Sequence, residues 1–256
     1  MSLDYTREGR ISIFTLNRPE ALNVIDPDTL AEYHKALTQF RDDDEAWVGI
    51  VTGAGVKAFC AGADVKKTLP WMKDNINAPW RSPATTMRGF ELWKPMIAAV
   101  NGMALGGGLE VALSCDIRIA AENASFGVPE VKLGLIPGWG GASRLPHLVP
   151  WAIAAEMLFT GKSISAQEAF RLGLVNKVVP QAELMDTARS YATAICENGP
   201  LAVRAAKRVM LASRHQGLDD ALRLEVELEE FLLTTRDFEE GTAAFAGKRK
   251  PCFTCK

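Results

Sequence analysis

The spacing of hydrophobic and polar positions changes along the chain, and the changes mark out its elements. Leu3 to Arg7, a turn at Glu8-Gly9 and a β-rich run holding Ile11, Ile13 and Thr15 predict an N-terminal hairpin that Asn17-Arg18-Pro19 ends. Asp26-Pro27 then opens a helix, with Asp26 as N-cap and Pro27 at the first helical position. Leu30, Tyr33, His34 and Leu37 recur at helical spacing as far as the acidic stretch Asp42 to Glu45. Trp47 to Thr52 is short and nearly all apolar, as expected of a strand covered on both faces. That pattern returns at Pro95 to Val100. A glycine-rich loop over Asn101 to Gly108, a helix starting at Leu109 and a strand at Ile117 to Ala120 follow. Ser125 to Gly141 reads as Gly/Pro-rich loop. From Pro150 the pattern is helical, broken only by a strand at Val175 to Val179. Helices are predicted over 181–197, 201–213, 218–235 and 237–246, with Gly199-Pro200 and Gly217 as punctuation. Strand–helix alternation early and helices late predict an α/β fold with a helical C-terminal portion.

Composition narrows the class. At 256 residues, 48% of them hydrophobic, the chain can bury one sizeable core and is too apolar to be disordered. Twenty-nine basic against 31 acidic residues leave a net charge of −2, so no global attraction to nucleic acid or an anionic membrane is expected. The first residues lack the apolar segment of a signal peptide, and no run approaches the ~20 apolar residues that span a bilayer. A soluble, cytoplasmic protein is the expectation. Five cysteines without framework spacing suit free thiols in a reducing compartment. Zinc at Cys252 and Cys255 would need two further ligands, and His34, His147 and His215 are scattered, so no metal site is expected.

Three glycine loops are candidates for chemistry. Gly53 to Ala58 matches a dinucleotide fingerprint, but Phe59-Cys60-Ala61-Gly62 prevents the helix that such a site requires. The second loop is Phe59 to Lys66. The third runs from Asn101 through Gly106-Gly107-Gly108 to Glu110, and its glycines leave N–H groups unshielded at a helix entrance, where anions bind. A tight strand-to-helix turn explains any one such loop; two, each after a buried strand, point toward a site. Glu110 lies in the first turn of the apolar helix, where the dipole favours a carboxylate. Glu130 is a lone acid among apolar and turn residues. It is either a surface acid or a carboxyl whose pKa its surroundings raise.

These segments together resemble the crotonase, or enoyl-CoA hydratase/isomerase, family. The resemblance runs through Asn17 to Asn23, Phe59 to Asp64, Ala98 to Gly102, Gly106 to Glu110, Cys115-Asp116, Ala124 to Glu130 and Leu133 to Gly138. It continues at Gly161-Lys162, Gly173 to Val175 and Phe245 to Arg249. It implies a spiral core of β-β-α units (1–195) and a C-terminal helical region (196–256) that assembles trimers, commonly paired into hexamers. It also implies an acyl-coenzyme A thioester as ligand and no separate cofactor. Backbone N–H groups of Ala63 and Gly107 would form an oxyanion hole around the thioester carbonyl, and Ala63, Asp64, Val65 and Lys66 would line the coenzyme. Glutamates at both Glu110 and Glu130 resemble enoyl-CoA hydratases, with Glu110 on the water and Glu130 on the Cα proton. Gly138 matches the backbone position that helps hold the water.

Several features stay open at this level. Trp139 stands where many hydratases have a small residue. Residues 67–93 carry Trp71, Trp80, Trp93, Met72, Met87 and Phe90, which would form either a bulky acyl pocket or ordinary packing. Arg18, Lys57 and Lys66, or Lys248 and Lys250 of a neighbouring subunit, are candidates for coenzyme phosphates. For any one of them a solvated basic face is the favoured reading. Hydration of a 2-enoyl-CoA leads. Carnitinyl-CoA dehydratase-like chemistry fits the same two-glutamate pattern, whereas double-bond isomerisation needs only one acid. Thioester hydrolysis could use the same oxyanion hole. An RNA-binding or scaffold role would predict a Lys/Arg stripe, and none lies along Asp26 to Phe40.

Overall fold

The computed structural model describes residues 1–75 and 83–256. The chain opens with the hairpin β1 (Leu3–Glu8) and β2 (Ile11–Leu16), then α1 (Pro27–Asp42). Asp26 caps α1 as predicted, its carboxylate accepting from Thr29 N at 2.9 Å. The buried stripe of α1 includes Leu30, Tyr33, Leu37 and Phe40. Phe14 of β2 meets the rings of Tyr33 and Phe40 edge-on.

Three strand pairs follow. They are β3 (Val48–Gly53) with β4 (Ala58–Cys60), leading to α2 (Thr68–Asp74); β5 (Met96–Val100) with β6 (Met103–Leu105), leading to α3 (Gly107–Leu113); and β7 (Ile117–Ala121) with β8 (Ser125–Gly127). Short helices α4 (Gly141–Arg144), α5 (Trp151–Thr160) and α6 (Ala166–Arg171) lie around β9 (Ser163–Ser165) and before β10 (Lys177–Val179). Helices α7 (Leu184–Cys196), α8 (Pro200–Ala212), α9 (Leu218–Leu233) and α10 (Arg236–Ala246) complete the chain. The first strand of each pair joins a sheet ordered β1-β2-β3-β5-β7-β10, and the second joins one ordered β4-β6-β8-β9. The chain thus climbs as a spiral, one β-β step per turn.

Period-two alternation builds the larger sheet. Val48, Ile50, Ile97, Ala99, Ile119 and Ala121 face Leu184, Ala188 and Ala192 of α7. Val51, Met96, Ala98, Val100 and Ala120 face the main core. Asparagines tie the spiral's turns together. Asn23 Nδ2 donates to the carbonyls of Ala54 and Ala58, at 3.0 and 2.8 Å. Asn101 accepts from Gly53 N at 3.0 Å and donates to the carbonyls of Gly55 and Ala58, and Asn123 donates to those of Val56 and Asn101.

The second sheet corrects the sequence reading. Phe59 to Lys66, Asn101 to Gly108 and Ser125 to Gly141 were expected as loops, yet β4 runs into the first and the other two contain β6 and β8. The helix expected from Leu109 begins at Gly107, β9 interrupts the helical stretch after Pro150, and the strand expected from Val175 begins at Lys177. Three-residue strands are too short to show a period, and parallel pairing such as Ala104 with Phe126 supplies what local propensity does not. The helix α7 ends at Cys196, beside the boundary expected between core and helical region. Among the described residues no helix is long and apolar enough to cross a membrane.

Candidate active site

The site forms where the second sheet's strands run out. Past β4, Gly62 takes φ +107°, and Ala63 pairs with Ile25 in an isolated bridge. Ile25 N donates to the Gly62 carbonyl and Asp64 N to the Ile25 carbonyl, each at 2.8 Å. The bridge leaves Ala63 N–H over. On the adjacent strand, Gly106 N donates to the Gly127 carbonyl at 2.9 Å, and its φ of +53° turns the chain into α3 with Gly107 at its head. Among the described residues neither Ala63 N–H nor Gly107 N–H donates to another protein group. The two are neighbours: a Cβ on Gly107 would lie 3.5 Å from Ala63 N. Gly108 closes the junction, since any side chain there would strike the Cys60 carbonyl.

Both N–H groups border a cavity of about 240 Å³ whose polar side chains are Glu110 and Glu130. Glu110 is only 2% exposed. Its Oε1 accepts from Trp139 N at 2.6 Å and Gly141 N at 2.7 Å, so the Pro137 to Gly141 turn grips the carboxylate. Burial pushes its pKa up to about 7; the Gly141 N–H opposes this, the Glu130 charge adds to it, and the Trp139 N–H and Arg144 oppose it. Glu130 sits in a 3-10 turn, Pro129–Leu133, and burial raises its pKa as well. Its Oε2 is buried and has no hydrogen-bond partner among the described residues. A buried acceptor without a donor is costly unless it carries a proton or meets a ligand. The site therefore combines two free N–H donors with two carboxyls that influence each other's protonation.

The match to the enoyl-CoA hydratase/isomerase family model covers residues 6–256. The chain belongs to that family. It is 44% identical over 249 residues to the short-chain-enoyl-CoA hydratase of Clostridium acetobutylicum, covering 95% of this chain and 94% of that one. It is 44% identical over 254 residues to the carnitinyl-CoA dehydratase of Salmonella paratyphi A, covering 98% and 97%. Among solved structures, the enoyl-CoA hydratase of Bacillus anthracis superposes with a TM-score of 0.94 at 40% identity, over 100% of both chains. The crotonase resemblance and the spiral fold expected from the motifs are borne out.

Within this family frame, Ala63, Val65, Gly107, Glu110, Glu130 and Gly138 all border one cavity. Asp64 and Lys66 do not. The Asp64 carboxylate turns inward to Arg18 at 3.6 Å and accepts from Lys66 N and Lys67 N, while Lys66 is exposed. Arg18 is also committed, donating to the Val24 carbonyl and to Asp26. Lys57 and Lys248 are exposed, and Lys250 lies 3.6 Å from Glu197. Of the aromatic and Met residues in 67–93, Met72 lines the cavity, Met87 is core, and Phe90 packs edge-on against His34. Trp93 lies under Arg208, and Trp80 falls outside the described residues.

Sequence reasoning missed the network beneath Ala63. The Asp26 Oδ2 atom takes Lys67 Nζ at 2.9 Å and Arg18 at 3.1 Å, while Oδ1 takes Thr29. Burial works against this charge, but Lys67, Thr29 and Arg18 outweigh it and hold Asp26 down to about 2. The N-cap signature gave Asp26 one role, and nothing in the sequence joined it to Lys67.

Proposed function

We propose that the protein reversibly adds water across the double bond of a 2-enoyl-CoA thioester, giving a 3-hydroxyacyl-CoA. The observation that carries this reading is the convergence of two unpaired N–H donors and two pKa-raised glutamates on one apolar cavity. The thioester oxygen accepts from Ala63 and Gly107, which stabilises negative charge as it develops there. Glu110, gripped by two N–H donors that favour its ionised form, takes a proton from water as the oxygen bonds to Cβ. The π electrons move toward the carbonyl oxygen, and the resulting enolate takes a proton at Cα from Glu130, whose unpartnered carboxyl favours the protonated form. Passage of one proton from Glu110 to Glu130 restores the pair. Gly138, bordering the same cavity, offers its backbone to the water.

The names of the relatives support this chemistry, and a carnitinyl-CoA dehydratase uses a substrate of the same thioester class. A double-bond isomerase would leave one buried carboxyl without work. Glu110→Gln and Glu130→Gln are each expected to lower turnover of crotonyl-CoA by ~10²-fold or more while leaving thioester binding largely intact. Hydration at the unmodified rate by either variant would remove that residue from the mechanism.

We further propose that the chain assembles as a homotrimer, or a dimer of trimers, through its C-terminal helices. Leu218, Leu222, Val226 and Leu233 form an exposed apolar stripe along α9, and Phe238 and Phe245 of α10 are also exposed. A contiguous exposed apolar stripe marks a contact surface.

A further inference from the structure

We propose that Trp139 closes the acyl end of the cavity and restricts the enzyme to short 2-enoyl-CoA substrates. This rests on the hydratase reading above and adds a substrate class to it. The indole lies against Gly107, the residue whose N–H faces the thioester oxygen. A Cβ built on Gly107 would be 2.6 Å from Cζ3 and 2.8 Å from Cε3 of the ring. An acyl chain leaving the carbonyl past Gly107 therefore meets the six-membered ring.

The ring is also held in place. Trp139 is 7% exposed and belongs to the main core. Its backbone N–H donates to Glu110 at 2.6 Å, and its backbone carbonyl accepts from Arg144 at 3.2 Å. Arg144 is itself fixed by the Thr86 and Met87 carbonyls, at 3.2 and 2.8 Å. Burial and the contact with Gly107 restrain the ring, and the same residue's backbone holds the Glu110 carboxylate.

The rest of the lining suits an acyl chain. The indole occupies the space beside Gly107 that a longer chain would need. Val65, Leu69 and Met72 on one side and Leu133, Leu135 and Ile136 on the other make the remaining walls apolar.

The test compares crotonyl-CoA with 2-decenoyl-CoA for the intact protein, Trp139→Ala and Trp139→Leu, by kcat/KM. Binding of the unreactive butyryl-CoA and decanoyl-CoA is measured alongside. The intact protein is expected to prefer the short substrate and the short ligand. In the variants the long-to-short ratio should rise at least tenfold, the scale on which an apolar pocket admits or rejects a methylene. Leu, which keeps more of the core packing, should give a smaller rise than Ala. Equal use of both substrates by the intact protein would overturn the proposal, as would an unchanged ratio in folded variants. If no enoyl-CoA is hydrated, the hydratase reading fails. The two saturated ligands then still decide whether Trp139 limits chain length.

Discussion

Replacing Glu110 by Gln should make the folded protein more stable at alkaline pH while crippling it as a catalyst. In the unfolded chain this carboxyl ionises at its ordinary 4.5, and in the native state at about 7. Between those values the native state binds more protons than the unfolded one, so stability falls as pH rises, and above 7 the full penalty applies. The difference corresponds to about 3 kcal/mol. A glutamine oxygen can still accept from Trp139 N and Gly141 N, so the substitution removes the buried charge and keeps both hydrogen bonds. Thermal unfolding at pH 5 and pH 8, at one protein concentration, reads the effect. For a chain of this size each kcal/mol moves Tm by about 2–4 °C. The variant should gain up to about 3 kcal/mol at pH 8, and most of that gain should be gone at pH 5. Equal differences at both pH values, or a less stable variant at pH 8, would show that Glu110 is not held as a costly buried charge.

Asp26 should show the opposite sign. Its stabilisation is in force above its ordinary 3.8 and is lost as pH falls toward about 2, so Asp26→Asn should cost about 2 kcal/mol at pH 7. Acid unfolding profiles of the two proteins should converge below pH 2. For kcat/KM of hydration, the rising limb of the pH profile should lie near 7, where Glu110 ionises, and be absent in Glu110→Gln. Introducing charge with Leu222→Glu and Val226→Glu together should reduce the sedimenting species to the monomer. An unchanged oligomer would place the contact elsewhere.

The central strands of the larger sheet could be read directly because they are five or six residues long, mostly apolar and fully buried, as at Val48–Gly53 and Met96–Val100. The second sheet could not. Its three-residue strands carry Cys60, Gly127 and Ser165, and only pairing across the spiral defines them. Glu110 was visible as a carboxylate in a first helical turn, where a helix dipole alone would lower its pKa. Burial reverses that expectation. The meeting of Glu130 with Glu110 depends on the turn of chain between β8 and α4, which has no local periodicity. Trp139 was visible as a bulky residue in a glycine turn, but its contact with Gly107 needed the fold.

The most direct measurement is mass spectrometry of crotonyl-CoA incubated with the protein in heavy-oxygen water, repeated in deuterated water. The expected product has gained one water, with solvent oxygen on Cβ and solvent hydrogen on Cα. Release of free CoA, or a product of unchanged mass with a shifted double bond, would contradict hydration by the Glu110–Glu130 pair.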